Sequence, residues 1–163
     1  MFEGLILESP AFLSQNEIPK IYTCEGRDIS PPIVWRGVPT EAISLVLIVE
    51  DPDAPDPHAP KMVWDHWIVF NIPNEITSIP ENIKNMVDLD PRIRLGKNSW
   101  DRLSYGGPCP PIGRHRYIFK LYALNINLDL SEGASKQEIL RAMQGHILKE
   151  ATLVGTYQKY NQY

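Results

Sequence analysis

Apolar and polar positions alternate most clearly in three stretches of this chain, and each reads as a β-strand. In residues 42–50 (AISLVLIVE), Ile43, Leu45, Leu47 and Val49 fall on one parity, and Asp51 follows on that same parity. In residues 62–72 (MVWDHWIVFNI), Trp64, His66, Ile68 and Phe70 share one predicted face and Val63, Asp65, Trp67 and Val69 the other. Both of those faces are mostly apolar, as expected of a central strand. In residues 116–125 (RYIFKLYALN), Tyr117, Phe119, Leu121 and Ala123 align, with His115 on their parity just before the strand. The period then changes. Ser135 with Glu138 three residues on is a capping-box signal, and Ile139, Leu140, Met143, Ile147 and Leu148 recur at helical spacing, predicting one amphipathic helix over about 135–150. Residues 153–160 are expected as a late strand or edge, and weaker strands are expected near residues 4–7 and 33–35.

Between these elements the chain is punctuated by proline and glycine. Residues 51–61 (DPDAPDPHAPK) hold four prolines, which remove ladder donors and restrict their neighbours, so a stiff loop is expected there, with Ala54-Pro55 a candidate cis bond. Residues 73–113 form a long connection rich in Gly, Pro and Asn, and connections beyond about 15 residues usually carry function or disorder. Strands dominate the first three quarters and the one clear helix comes late. The fold class expected is therefore mainly β: a two-sheet antiparallel β-sandwich with peripheral helices, not an alternating βαβ sheet. Residues 1–163 are expected to form one domain, since a chain of 163 residues buries roughly 70% of its unfolded surface without staples.

Composition narrows the function classes. A hydrophobic share of 43% with 22% charged residues describes an ordinary globular chain. The net charge of −4, without a run of basic residues, argues against a nucleic-acid partner. No apolar run approaches the roughly 20 residues of a transmembrane helix. The start Met1-Phe2-Glu3-Gly4 lacks the basic residues of a signal peptide, so a cytoplasmic location is expected. Cys24 and Cys109 are far apart and fit neither a zinc-finger nor a redox spacing, so reduced thiols are expected.

Candidate chemistry sits where the three strong strands end. If their apolar faces share one core, Asp51, His66 and His115 meet at its rim, and a cleft with a few convergent polar groups is the usual form of a small-ligand pocket. Asp53, one pleat beyond Asp51, is placed to point inward as well. Trp64 is the tryptophan best placed to line such a pocket, the others being expected in the core or an interface. Residues 106–113 (GGPCPPIG) precede His115 and Tyr117 and offer a rigid loop that a ligand can approach closely. His115 and Tyr117 suit a phosphate or carboxylate, while the two aspartates must orient the histidines or meet a cationic part of the ligand.

Three functions compete on these residues. The leading one is a non-enzymatic binding module for a small anionic ligand. A metal-dependent hydrolase built on Asp51, Asp53, His66 and His115 is the rival, although no spaced ligand motif supports it. The third is a protease or kinase inhibitor docking through residues 51–61. Nucleophilic catalysis is disfavoured, because no G-x-S-x-G elbow is present and Cys109 lies between prolines. No cofactor and no resident metal are expected.

The motifs Asp51-Pro52-Asp53-Ala54-Pro55, His66-Trp67, Gly107-Pro108 and Gly113-Arg114-His115-Arg116-Tyr117 resemble the phosphatidylethanolamine-binding protein family. Lys97-Asn98 and residues 105–111 look like its bacterial and archaeal Raf kinase inhibitor-like branch. The resemblance runs through the helix to residues 154–157. It implies a β-sandwich of two antiparallel sheets, no enzymatic activity, and an anion pocket formed by Asp51, Asp53, His66, Gly107, Pro108, His115 and Tyr117. The implied ligand is a phosphate-like group such as a phospholipid head group, with a kinase or protease as protein partner and a second copy of the chain as a homodimer mate. Two departures bear on the pocket: Asp65 stands where animal members carry another histidine, and the stretch from Pro111 to His115 is shorter than in many bacterial relatives.

Overall fold

The structure is a computed structural model and describes residues 4–160. Its strands are β1 (Ile6–Glu8), β2 (Ile33–Arg36), β3 (Ser44–Ala54), β4 (Met62–Pro73), β5 (Ser78–Ile79), β6 (Arg94–Leu95), β7 (His115–Leu124) and β8 (Ile147–Tyr157), with one helix, α1 (Lys136–Met143). Single-turn 3-10 helices occur at Lys20–Tyr22 and Met86–Asp88. The strands make two antiparallel sheets, one of order β1-β2-β5 and one of order β6-β4-β3-β7-β8. The expected mainly β, two-sheet architecture is therefore present.

At β3 and the second half of β4 the five-stranded sheet is buried on both faces, which explains why these strands read as nearly continuous apolar runs. On one face Leu45, Leu47, Val49, Trp67, Val69, Phe119 and Leu121 pack against Leu7, Ile33, Trp35 and Ile79 of the smaller sheet. On the other, Val46, Ile48, Ile68 and Phe70 are covered by Ile139 and Met143 of α1 and by Leu128. β3 lies at the centre. β4 is interior as well, but β6 covers it only at Val69 and Phe70.

A charged cluster pins α1 to its face of the sheet. Lys136 Nζ donates to Glu50 Oε2 at 2.5 Å and to Asp65 Oδ1 at 2.8 Å, and Lys120 also pairs with Glu50. The helix starts as its sequence predicts: Ser135 Oγ accepts from Glu138 N–H at 3.1 Å, and Glu138 Oε1 accepts from Ser135 N–H at 3.0 Å.

Four expectations need correction. The helix stops at Met143 rather than near residue 150, because Gln144 leaves the helical path with a ψ of 127° and Gly145, at a φ of 81°, completes a turn closed by the His146 N–H on the Met143 carbonyl at 2.9 Å. Ile147 and Leu148 instead open β8, which gains a long antiparallel ladder with β7. The stiff loop begins later than residue 51: Asp51 to Ala54 extend β3, and Pro52 is accommodated where the register shifts between the pairs Asp51↔Trp64 and Ala54↔Met62. The Ala54-Pro55 bond at the start of that loop is cis, as expected.

The third correction concerns β4. Val49 pairs with Trp67 but Glu50 pairs with Asp65, so His66 is an extra residue, a β-bulge. The bulge reverses parity. Ile68 and Phe70 face the helix, whereas His66 and Trp64 face away from it, and Asp65 turns to Lys136. The four residues Trp64, His66, Ile68 and Phe70 thus do not share one face. The fourth concerns the thiols: Cys24 and Cys109 form a disulfide with Cα atoms 5.4 Å apart, because the two long connections that carry them pack together.

Candidate functional site

Where β3, β4 and β7 end together, a cleft of about 360 Å³ opens toward solvent. Asp51, at the end of the apolar run of β3, is its anchor. One carboxylate oxygen accepts the Asp53 N–H at 2.7 Å, and the other lies 2.6 Å from His115 Nδ1. His115 opens β7 and is fully buried. Its Nε2 donates to the carbonyl oxygens of Ile112 at 2.8 Å and Pro55 at 3.1 Å. Carbonyls only accept, so Nε2 carries a proton, and a second proton lies between Nδ1 and the carboxylate. The Asp51–His115 pair is therefore neutral as a unit. Burial pushes the Asp51 carboxyl up from its ordinary value, against the lowering effect of the His115 and Asp53 hydrogen bonds.

His66 is held differently. Its Nδ1 donates to the Gly106 carbonyl at 2.7 Å, and the Gly106 N–H returns a bond to the His66 carbonyl at 3.1 Å. Burial holds its pKa down to about 4, so the ring is neutral at ordinary pH and Nε2 is an acceptor. The ring meets Trp100 edge-on at 5.0 Å and Tyr117 edge-on at 5.2 Å, while Tyr117 lies parallel to His115 at 6.4 Å. Tyr117 is buried, and burial raises its hydroxyl well above the usual range. Among the described residues that hydroxyl has no hydrogen-bond partner.

The remaining walls are apolar: Ala54, Pro55, Met62 and Trp64 on one side, Trp100, Pro110 and Pro111 on the other. Cys109 also lines the cleft, and its bridge to Cys24 ties the 106–111 segment to the turn after the first 3-10 helix. The same tie is made by hydrogen bonds from Cys24 N–H to the Pro108 carbonyl at 3.1 Å and from Gly107 N–H to Asp28 Oδ1 at 2.8 Å.

Of the residues singled out in the sequence, Asp51, His66, His115, Tyr117 and Trp64 line this cleft. Three others stand behind it. Asp53 turns outward to Arg116, accepting from its N–H at 2.9 Å, Nε at 3.0 Å and Nη2 at 2.8 Å, and these bonds hold its carboxyl below the usual range. Gly107 and Pro108 fasten the loop. Sequence reasoning missed Trp100, Met62, Pro110 and Pro111 as wall residues. The Pro110-Pro111 pair carried a signal, lying between the glycines and His115, whereas Trp100 had none. A metal centre built on Asp51, Asp53, His66 and His115 is not supported: among the described residues no three His, Cys, Asp or Glu side chains could hold an ion together. Asp53 and both His115 nitrogens are already occupied.

The family model of phosphatidylethanolamine-binding protein matches residues 8–158. The chain belongs to the phosphatidylethanolamine-binding protein family. Within that family, a UPF0098 protein of Methanothermobacter thermautotrophicus is 50% identical over 153 residues, covering 94% of this chain and 98% of the relative. A UPF0098 protein of Pyrococcus horikoshii is 43% identical, covering 96% of this chain and 79% of the relative. The crystal structure of a phosphatidylethanolamine-binding protein homolog from Chlamydia trachomatis, CT736, superposes with a TM-score of 0.87 at 42% identity, covering 96% of this chain and 98% of that one. That of Escherichia coli YbcL, a member of the same family, gives 0.85 at 26% identity, covering 96% and 99%. Among the described residues no helix is long and apolar enough to cross a membrane.

Proposed function

We propose that this phosphatidylethanolamine-binding protein family member is a non-enzymatic binding module whose cleft takes a small anionic group, phosphate- or carboxylate-like, carried on an apolar body. The observation that carries this reading is the Tyr117 hydroxyl, buried without a partner on a residue that lines the open cleft. A buried polar group left unpaired costs roughly 1–3 kcal/mol, a cost that a bound acceptor removes. The apolar walls of Met62, Trp64 and Trp100 suit the organic part of such a ligand. The name of the family points to a phosphate-bearing head group. Cys109 is oxidised and both His115 nitrogens are occupied, so neither serves as nucleophile or free base. The Cys24–Cys109 bridge weighs against a reducing cytoplasm, though intracellular disulfides do occur in hyperthermophiles.

Titration with inorganic phosphate, phosphoethanolamine and acetate, followed by the ring signals of His66 and His115 in NMR spectra, tests the reading. Shifts are expected for at least the two phosphates, and unmoved rings with all three would overturn it. Tyr117→Phe is expected to weaken phosphate binding about tenfold while leaving the free protein as stable as before or slightly more so, since the lost hydroxyl had no partner.

A further inference from the structure

Among the described residues, no unpaired cation lines the cleft. Asp51 and His115 neutralise each other. Arg116, next along β7, is spent on Asp53, and Lys120 and Lys136 serve Glu50 and Asp65 on the opposite face of the sheet. The loop is just as sparing with backbone donors. Pro108, Pro110 and Pro111 have no N–H, Gly106 gives its own to the His66 carbonyl and Gly107 gives its own to Asp28. Among the described residues, the side-chain polar groups of the lining left for a ligand are the Tyr117 hydroxyl and the indole N–H groups of Trp64 and Trp100 as donors, and His66 Nε2 as an acceptor. The His66 tautomer is fixed by geometry, because Nδ1 faces a carbonyl and must bear the proton.

A fully ionised phosphate offers acceptors alone and would set a lone pair against Nε2. An acid that keeps one proton answers both kinds of group. We propose that the cleft selects the singly protonated form of a phosphate monoester, its P–OH donating to His66 Nε2 and a P–O⁻ accepting from Tyr117 Oη. This rests on the anion-binding reading above and adds the protonation state and its reader. The proton count holds wherever the proton finally rests: binding a dianion takes up one proton, on the ligand or on Nε2. Such a site differs from one lined by arginine or lysine, which favours the dianion. The groups facing the ligand that titrate are Asp51 on β3, His66 on β4 and His115 and Tyr117 on β7; Cys109 is held in its disulfide.

Calorimetry with methyl phosphate and methyl sulfate on the intact, oxidised protein tests the proposal. The two ligands share shape and, at pH 5.5, charge, but only the phosphate carries a hydrogen to donate. Methyl phosphate is expected to bind at least tenfold more tightly at pH 5.5. Its affinity should then fall about tenfold per pH unit above the second ionisation of the ligand, near about 6. Proton uptake close to one should appear at pH 8 when buffers of different ionisation enthalpy are compared. Equal affinity for the two ligands at pH 5.5, or a methyl phosphate affinity that stays constant or rises up to pH 8, overturns the proposal while leaving the anion reading intact. Failure of methyl phosphate to bind at pH 5.5 overturns the proposal, and failure of both ligands there, together with unmoved rings in the phosphate, phosphoethanolamine and acetate titration, overturns the anion reading as well. His66→Gln, whose amide can donate as well as accept, is expected to bring methyl sulfate to within threefold of methyl phosphate, and retained discrimination in a folded His66→Gln protein counts against His66 as the reader.

Discussion

His66 owes its place at the cleft to one extra residue in β4, and that placement has a thermodynamic signature. Its pKa is about 6.5 in the unfolded chain and is held down to about 4 in the folded one by burial. A histidine depressed in this way contributes stability that is fully present above pH 6.5 and is lost as pH falls toward 4, where the unfolded state binds a proton and the folded state does not. The loss should approach about 3 kcal/mol between pH 7 and pH 4, since each tenfold weakening of proton affinity is worth about 1.4 kcal/mol. Urea unfolding at both values checks this, and most of the difference should vanish in His66→Gln. Strand parity pointed to His66, Asp51 and His115 alike, but it held only for two of them. β3 pairs with β7 without a break from Ser44 to Glu50, so Asp51 and His115 stay in phase with their strands. His66 reached the cleft through a bulge that no periodicity announces. Asp53 shows the converse, since the register shift after Asp51 swings it to Arg116 and out of the cleft.

The segment from Gly106 to Ile112 is the element that shapes the site. It places Pro110 and Pro111 in the wall, gives the Ile112 carbonyl to His115, and is seated on the turn around Tyr22 and Thr23. Gly107 makes that seating close: a Cβ there would lie 2.3 Å from the Tyr22 carbonyl oxygen and 2.4 Å from Asp28 Oδ1. Gly107→Ala is therefore expected to cost about 2 kcal/mol, in the range of other overpacking changes, and to weaken phosphate binding by displacing the wall. Thermal unfolding and the same NMR titration check both effects. Elements with strong local signals were legible, above all the capping box of α1 and the apolar runs of β3 and β7. What local signals could not decide was the competition after Met143. Ile147 and Leu148 fit a helical period, yet pairing with β7 offers them a full ladder, and Gly145 opens the way to it. The two-residue strands β5 and β6 exist only because neighbouring strands present edges to them.

For the whole molecule, the sandwich was legible because two buried faces demand long apolar strands, and charge and composition left few other classes. The disulfide was not. Nothing in the spacing of Cys24 and Cys109 foretells that two connections 85 residues apart fold against each other. Closing a loop of that length removes unfolded-state entropy worth about 4.5 kcal/mol, so reduction should lower stability by up to that amount. Unfolding with and without a phosphine reductant measures it, and a change below about 1 kcal/mol would show that the hydrogen bonds around Gly107 and Pro108 hold the connections unaided. The bridge also changes what the molecule is as a covalent object. Residues 24–109 form a closed ring that carries β2 to β6, and β7, α1 and β8 hang from it as a tail. Asp51 and His66 belong to the ring, His115 and Tyr117 to the tail. A protease that cuts the proline-rich turn after β3 opens the ring without releasing either piece, so the nicked chain keeps its full mass until a reductant separates the halves.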